Sequence, residues 1–123
     1  MTFRYVSDQV YEELKSEVFE HSLDWLYSAI QGFFEESGCV ERKKIFLEVM
    51  ERLLREGDLK LAKNGVILSF PIEEQIALFN TSWPENDVLI PDCPEMDFYW
   101  WFFDESCPGG AVWVMPDGEL YWT

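Results

Sequence analysis

Six residues, Asp92, Glu95, Asp97, Trp100, Asp104 and Glu105, bring carboxylates and an indole into one short stretch. Phe98, Tyr99, Trp101, Phe102 and Phe103 fill the space between them. Three kinds of chemistry use such a mixture. Paired carboxylates beside stacked aromatics resemble a carbohydrate hydrolase. Any acid-rich loop supplies such pairs, however, and 123 residues leave little room for a deep cleft. Asp92, Glu95 and Asp97 could hold a hard cation, but they lack the spacing and central Gly of an EF-hand loop. The third use is recognition of another protein. Aromatic side chains bury large areas at low entropic cost, and carboxylates steer a basic partner toward them. We therefore read these six residues as partner-binding, with Trp101, Trp113 and Trp122 as further anchors. Core packing is the competing use of every Trp.

Other chemistry finds little support. No GxSxG, Walker A, GxGxxG or HExxH pattern occurs. A Ser-His or Cys-His nucleophile would have to use His21, the one His of the chain. Cys39, Cys93 and Cys107 are odd in number and show no CxxC spacing. They form neither a disulfide framework nor a zinc site, and read as reduced thiols. The expectation is a binder rather than an enzyme, with no catalytic residues, metal or cofactor.

Charge sharpens that expectation. The formal net charge is −15, unevenly spread. Residues 1–63 hold all nine Lys and Arg against 13 acids, whereas residues 64–123 hold 11 acids and no cation. Such a field repels nucleic acid and anionic membrane and attracts basic surfaces. It also keeps an aromatic-rich chain dissolved whether or not a partner exists. The cluster Arg42-Lys43-Lys44 is too short to reverse the exclusion of nucleic acid. No apolar run approaches the roughly 20 residues that span a bilayer. The start, Met1-Thr2-Phe3-Arg4-Tyr5, lacks a signal-peptide layout, so cytoplasmic residence is expected.

The elements that must position these residues follow from periodicity. Ser7 caps a first helix with Val10, Tyr11, Leu14 and Val18 on one stripe. Ser22 and Asp24 open a second, whose broad apolar face takes Leu23, Leu26, Tyr27, Ile30, Phe33 and Phe34. Gly32 in it points to close packing or an early end. Glu41 to Glu56 form the clearest helix, with Ile45, Phe46, Val49, Met50, Leu53 and Leu54 as its stripe and Gly57 as its cap. Two i,i+4 pairs, Glu48–Arg52 and Glu51–Arg55, support it. Leu59 to Leu68 read as a hairpin around Asn64-Gly65. Helix, Gly and hairpin make a winged-helix layout, but without the basic wing that DNA binding needs. Pro71 and Glu73-Glu74 start a fourth helix, with Ile72, Ile76 and Phe79 inward, that stops before Trp83-Pro84. Phe98–Phe103 reads as a buried strand paired with a C-terminal hairpin, Ala111–Met115 and Glu119–Thr123, that turns at Pro116-Asp117-Gly118. The result is one α+β domain over residues 1–123: about four helices in the N-terminal two thirds and a small, mainly antiparallel sheet.

Several stretches resemble a bacterial family, domain-of-unknown-function family 596. They are Leu53-Leu54-Arg55-Glu56-Gly57, Leu59-Lys60-Leu61-Ala62-Lys63-Asn64-Gly65, Ile72-Glu73-Glu74-Gln75-Ile76, Cys107-Pro108-Gly109-Gly110-Ala111-Val112-Trp113, and Asp117-Gly118 with Trp122-Thr123. Their order and spacing carry the match. Members look like immunity proteins encoded beside contact-dependent growth-inhibition toxins. The resemblance implies a cytosolic antidote that binds and blocks the toxin's C-terminal domain, often a nuclease. A nuclease must bind phosphates and tends to be basic, which suits an acidic binder. The alternative from another class is an oligomerisation or adaptor module whose acidity serves solubility, and a homo-oligomer stays open.

Overall fold

Local signals set most of the helix boundaries. The computed structural model describes residues 5–36, 38–83 and 99–123; within them the side chains of Cys39, Tyr99 and Trp100 are left aside. Helix α1 spans Asp8–Val18, and the Ser7 hydroxyl accepts the Val10 N–H at 3.2 Å, satisfying one of its free first-turn donors. Helix α2 spans Leu23–Phe33 and α3 Cys39–Glu56. Gly57 closes α3, its N–H and that of Asp58 returning to Leu54 and Leu53. Helix α4 spans Ile72–Ser82, with Pro71 as its N-cap. None of the described helices is long and apolar enough to cross a membrane.

The sheet has four antiparallel strands in the order β2-β1-β3-β4: β1 Leu59–Lys63, β2 Val66–Ile67, β3 Gly110–Val114 and β4 Leu120–Trp122. The β1–β2 turn places Asn64 and Gly65 at φ +53° and +79°, the left-handed pair that a two-residue hairpin of this twist requires. Register puts Leu59 and Leu61 opposite Trp113 and Ala111, all four buried toward the helices. The other face carries Lys60, Val112, Val114, Leu120 and Trp122. The architecture is α+β: helices over one face of a small sheet, with the C-terminal hairpin at its edge.

Two expectations give way. The first is the strand at Phe98–Phe103. Tyr99–Phe103 is instead a 3₁₀ helix, and Phe98 lies outside the described residues. The reason is geometric. A strand sends neighbouring side chains to opposite faces. Here the adjacent Trp101 and Phe102 both enter the core, 1% and 9% exposed, while Phe103 is 72% exposed. Strand β3 also has both edges occupied, by β1 and β4. The second is Phe33 on the buried face of α2. Leu23, Leu26, Tyr27 and Ile30 occupy that face, and the chain leaves the helix at Phe34, which turns inward while Phe33 stays out.

The core is largely aromatic. Phe46 lies tilted 5.2 Å from Trp83 and 5.5 Å from Phe102, and Trp101 lies 5.3 Å from Trp83 and edge-on to Phe79 at 6.0 Å. The 3₁₀ helix is thus a plug that locks α2, α3 and α4 together. Trp113 meets Phe19 edge-on at 5.3 Å and donates its indole N–H to the His21 carbonyl at 2.8 Å, fixing the sheet to the end of α1.

Candidate protein-binding site

The turn that follows the core plug collects the described members of the acidic stretch. It starts where burial stops. Phe102 is in the core, and Phe103, Asp104, Glu105 and Ser106 are exposed in succession. Asp104 shapes the turn. Its carboxylate accepts the Ser106 backbone N–H at 3.0 Å and the Ser106 hydroxyl at 2.6 Å, and its own N–H donates to the Trp101 carbonyl at 3.0 Å. Both Ser106 bonds favour the ionised form and hold the Asp104 carboxyl below the usual carboxylate range.

A cation fastens the turn to the sheet. Lys63, at the end of β1, donates to the carbonyls of Glu105, at 2.7 Å, and Cys107. The Lys63 ammonium is thereby engaged with backbone oxygens, and the Asp104 and Glu105 side chains face solvent. Beyond it the chain passes close over β1. A Cβ on Gly109 would lie 3.0 Å from the Ala62 carbonyl oxygen, so any other residue would push the two backbones apart by a few tenths of an ångström. Cys107 is buried there, and burial raises its thiol pKa to about 11. Between turn and hairpin lies an open hollow of about 500 Å³, lined by Ala62, Lys63, Asn64, Phe103, Asp104 and Glu105 among others.

The structure brings together part of the expected site. Asp104 and Glu105 sit side by side on the turn, and the backbone of Trp100 lies in the 3₁₀ helix just before it. Asp92, Glu95 and Asp97 fall outside the described residues. Of the further Trp candidates, Trp101 and Trp113 are core residues and present no surface. Trp122 is 49% exposed on the edge strand. Phe103 and Trp25 are among the exposed aromatics that the sequence does not mark as surface anchors. Phe103 is hidden in sequence by its run of aromatic neighbours. Trp25 is hidden by the apolar residues of α2, although helical spacing sets it apart from their stripe.

The chemistry of the turn suits contact. A general acid needs a raised carboxyl pKa, and that of Asp104 is shifted the other way. Among the described residues, no group of three His, Cys, Asp or Glu is arranged to hold a metal ion. A protruding phenyl ring beside two carboxylates, on a turn braced by Lys63 and Ser106, can anchor a protein whose surface is basic.

Of the other described cations, Lys44 and Lys60 are exposed, whereas several are committed within the molecule. Arg52 lies 3.9 Å over the Tyr11 ring and bonds Asp8 at 2.9 Å and Glu56 at 3.0 Å. Lys15 pairs with Asp58 at 2.7 Å, Arg55 with Glu51 at 2.9 Å, and the buried Lys43 donates to the Asn80 carbonyl at 3.2 Å. Arg42 is buried as well, so two members of the basic cluster do not offer a cationic patch.

A family model described as protein of unknown function, DUF596, matches residues 54–123, from the last turn of α3 through the whole sheet. Among solved structures, an uncharacterised protein conserved in bacteria, from Neisseria meningitidis, is 31% identical to this chain. The match has a TM-score of 0.72 and covers 93% of this chain and 90% of that one. No curated protein matches.

Proposed function

This chain belongs to the DUF596 family of bacterial proteins of unknown function, and from that premise we propose that it is an immunity protein. It binds the C-terminal domain of a contact-dependent growth-inhibition toxin in the cytosol and neutralises it without catalysis. The toxin domain is basic because it is a nuclease that must hold phosphates. The reading rests most on the turn after the 3₁₀ helix, where Phe103 projects beside Asp104 and Glu105. The ring anchors the interface and the carboxylates steer the encounter, so electrostatics governs the association rate more than the dissociation rate. Asp92, Glu95, Asp97 and Trp100 are further partner contacts by their place in the sequence; the first three, and the side chain of Trp100, lie outside the described residues.

The test is association kinetics with the purified toxin domain encoded beside this chain. The double variant Asp104→Asn, Glu105→Lys keeps an oxygen at 104 to accept the Ser106 bonds, so it retains its melting temperature and associates about tenfold more slowly at low salt. An unchanged association rate would remove these residues from the interface.

One observation favours a second reading. Strand β4 is an edge strand, and its Leu120, Tyr121 and Trp122 are all exposed. Such an edge can pair with another chain, as in an oligomerisation or adaptor module. Self-association that is indifferent to salt, with no toxin bound, identifies that class.

A further inference from the structure

A second surface shares no residue with the 103–110 turn. Helix α2 turns one side to solvent, and at its two ends stand half-exposed rings, Trp25 (46%) and Phe33 (41%). Between them lie Ser28, Ala29 and Gly32, which with Glu17 of α1 line an open depression of about 370 Å³. A second depression continues from Gly32 and Phe33 along Phe34, Glu35, Glu36 and Glu41. The two depressions share Gly32 and Phe33, so we read them as one trough with Ala29 and Gly32 in its floor, an aromatic ring toward each end of the helix, and Glu17 and Glu41 at its limits. None of the lining residues is a cation.

Two details distinguish it from an ordinary helix surface. The exposed His21 ring stacks on Trp25 at 4.3 Å and 11°, a contact that favours one orientation of the indole. A preset ring loses little entropy when a partner covers it. Gly32 has neither of the usual internal reasons to be glycine. Its φ is not left-handed, and a Cβ there would meet nothing within 4 Å. Alanine would fit and favour the helix by up to about 1 kcal/mol. What the absent side chain does is keep the floor open where the two depressions join.

We propose that this trough docks a basic amphipathic segment of a protein partner. Its apolar side chain rests on Gly32 between Trp25 and Phe33, and its Lys or Arg residues reach Glu17 at one end and Glu35, Glu36 and Glu41 at the other. Charge decides the occupant. A second copy of this chain would bring a further −15 toward four carboxylates, whereas a cationic segment neutralises them. The trough recognises cationic amphipathic structure as such, so the proposal does not depend on the partner being a toxin.

The test uses the full chain labelled with ¹⁵N and a synthetic helical peptide with a leucine stripe flanked by lysines. Titration shifts resonances of residues 25–36 and the Trp25 indole N–H, and a peptide with glutamates for the lysines leaves them unmoved. Gly32→Leu fills the floor without changing any charge. It retains or raises the melting temperature and weakens peptide binding about tenfold. Unchanged affinity in Gly32→Leu overturns the proposal, as do shifts that gather on the 104–105 and 117–119 acids instead, or no binding at all. Self-association of the chain that Gly32→Leu abolishes overturns it in favour of a second copy. The Asp104→Asn, Glu105→Lys variant separates the two surfaces: it associates more slowly with the toxin domain and binds the peptide unchanged.

Discussion

The α1–α3 face and the turn after the 3₁₀ helix use the same residue types to opposite ends. On the first, Tyr11 is buried beneath Arg52, its hydroxyl donates to Glu56 at 2.8 Å, and Lys15 spans Glu56 and Asp58. Ring and charges are consumed internally, and the product is stability. On the second, the ring of Phe103 points outward, and the nearby Lys63 bonds carbonyl oxygens. The ring and the Glu105 carboxylate face solvent, the Asp104 carboxylate is bonded to Ser106 beside it, and on the proposed reading these groups meet a partner. What separates structure from recognition in this chain is where the cations go.

Substitutions can break that comparison, and the largest contrast lies within three residues. Trp101→Ala empties a site inside the aromatic core and should cost about 3–5 kcal/mol in chemical denaturation. Phe103→Ala should stay within about 0.5 kcal/mol, because its ring packs on little. Equal losses would mean that Phe103 is structural. Arg52→Ala removes a cation–π contact and two ion pairs from a largely covered side chain, and should cost about 1–2 kcal/mol. The Asp104→Asn, Glu105→Lys chain, which keeps an acceptor for the Ser106 bonds, should unfold at the same denaturant concentration as the parent.

A smaller effect is the response to acid. Burial works to raise the Glu56 carboxyl pKa, but the bonds from Tyr11 and Arg52 outweigh it and hold the value below the usual carboxylate range. Its folded pKa is therefore lower than its unfolded one. The stabilisation it gives is complete above the unfolded value of about 4.3 and is lost as pH falls through the folded one. Glu56→Gln should lower stability at neutral pH and flatten the decline between about pH 5 and pH 3. A decline as steep as the parent's would assign the acid sensitivity to other carboxylates. The smallest effect concerns Cys107. With its pKa raised to about 11 by burial, it should resist iodoacetamide at neutral pH until the chain is unfolded, as followed by peptide mass spectrometry.

Those elements that rest on neighbours in sequence were legible before the fold was seen. The Ser7 cap, the Gly57 stop, the Asn64-Gly65 turn and the C-terminal hairpin each depend on a few adjacent residues, and each stands where local chemistry puts it. The 3₁₀ helix was not legible. An unbroken apolar run such as Phe98–Phe103 fits a buried strand or a buried helical turn equally, and only the partners of β3 decide between them. The pairing of β1 with β3, which occupies the edge the expected strand needed, joins residues about 50 apart and leaves no local trace. The site was half legible for a related reason. Composition marks a stretch as acidic and aromatic. Which ring faces out depends on packing, and packing buries Trp101 and Trp113 while exposing Phe103, Trp122 and Trp25.

The central claim is that this molecule captures a basic protein domain. Titration calorimetry of the chain into the purified toxin domain encoded directly upstream, at low and at high salt, tests it most directly. Tight one-to-one binding that weakens as salt rises is the predicted result. No heat at either salt concentration, with both proteins folded, would contradict it.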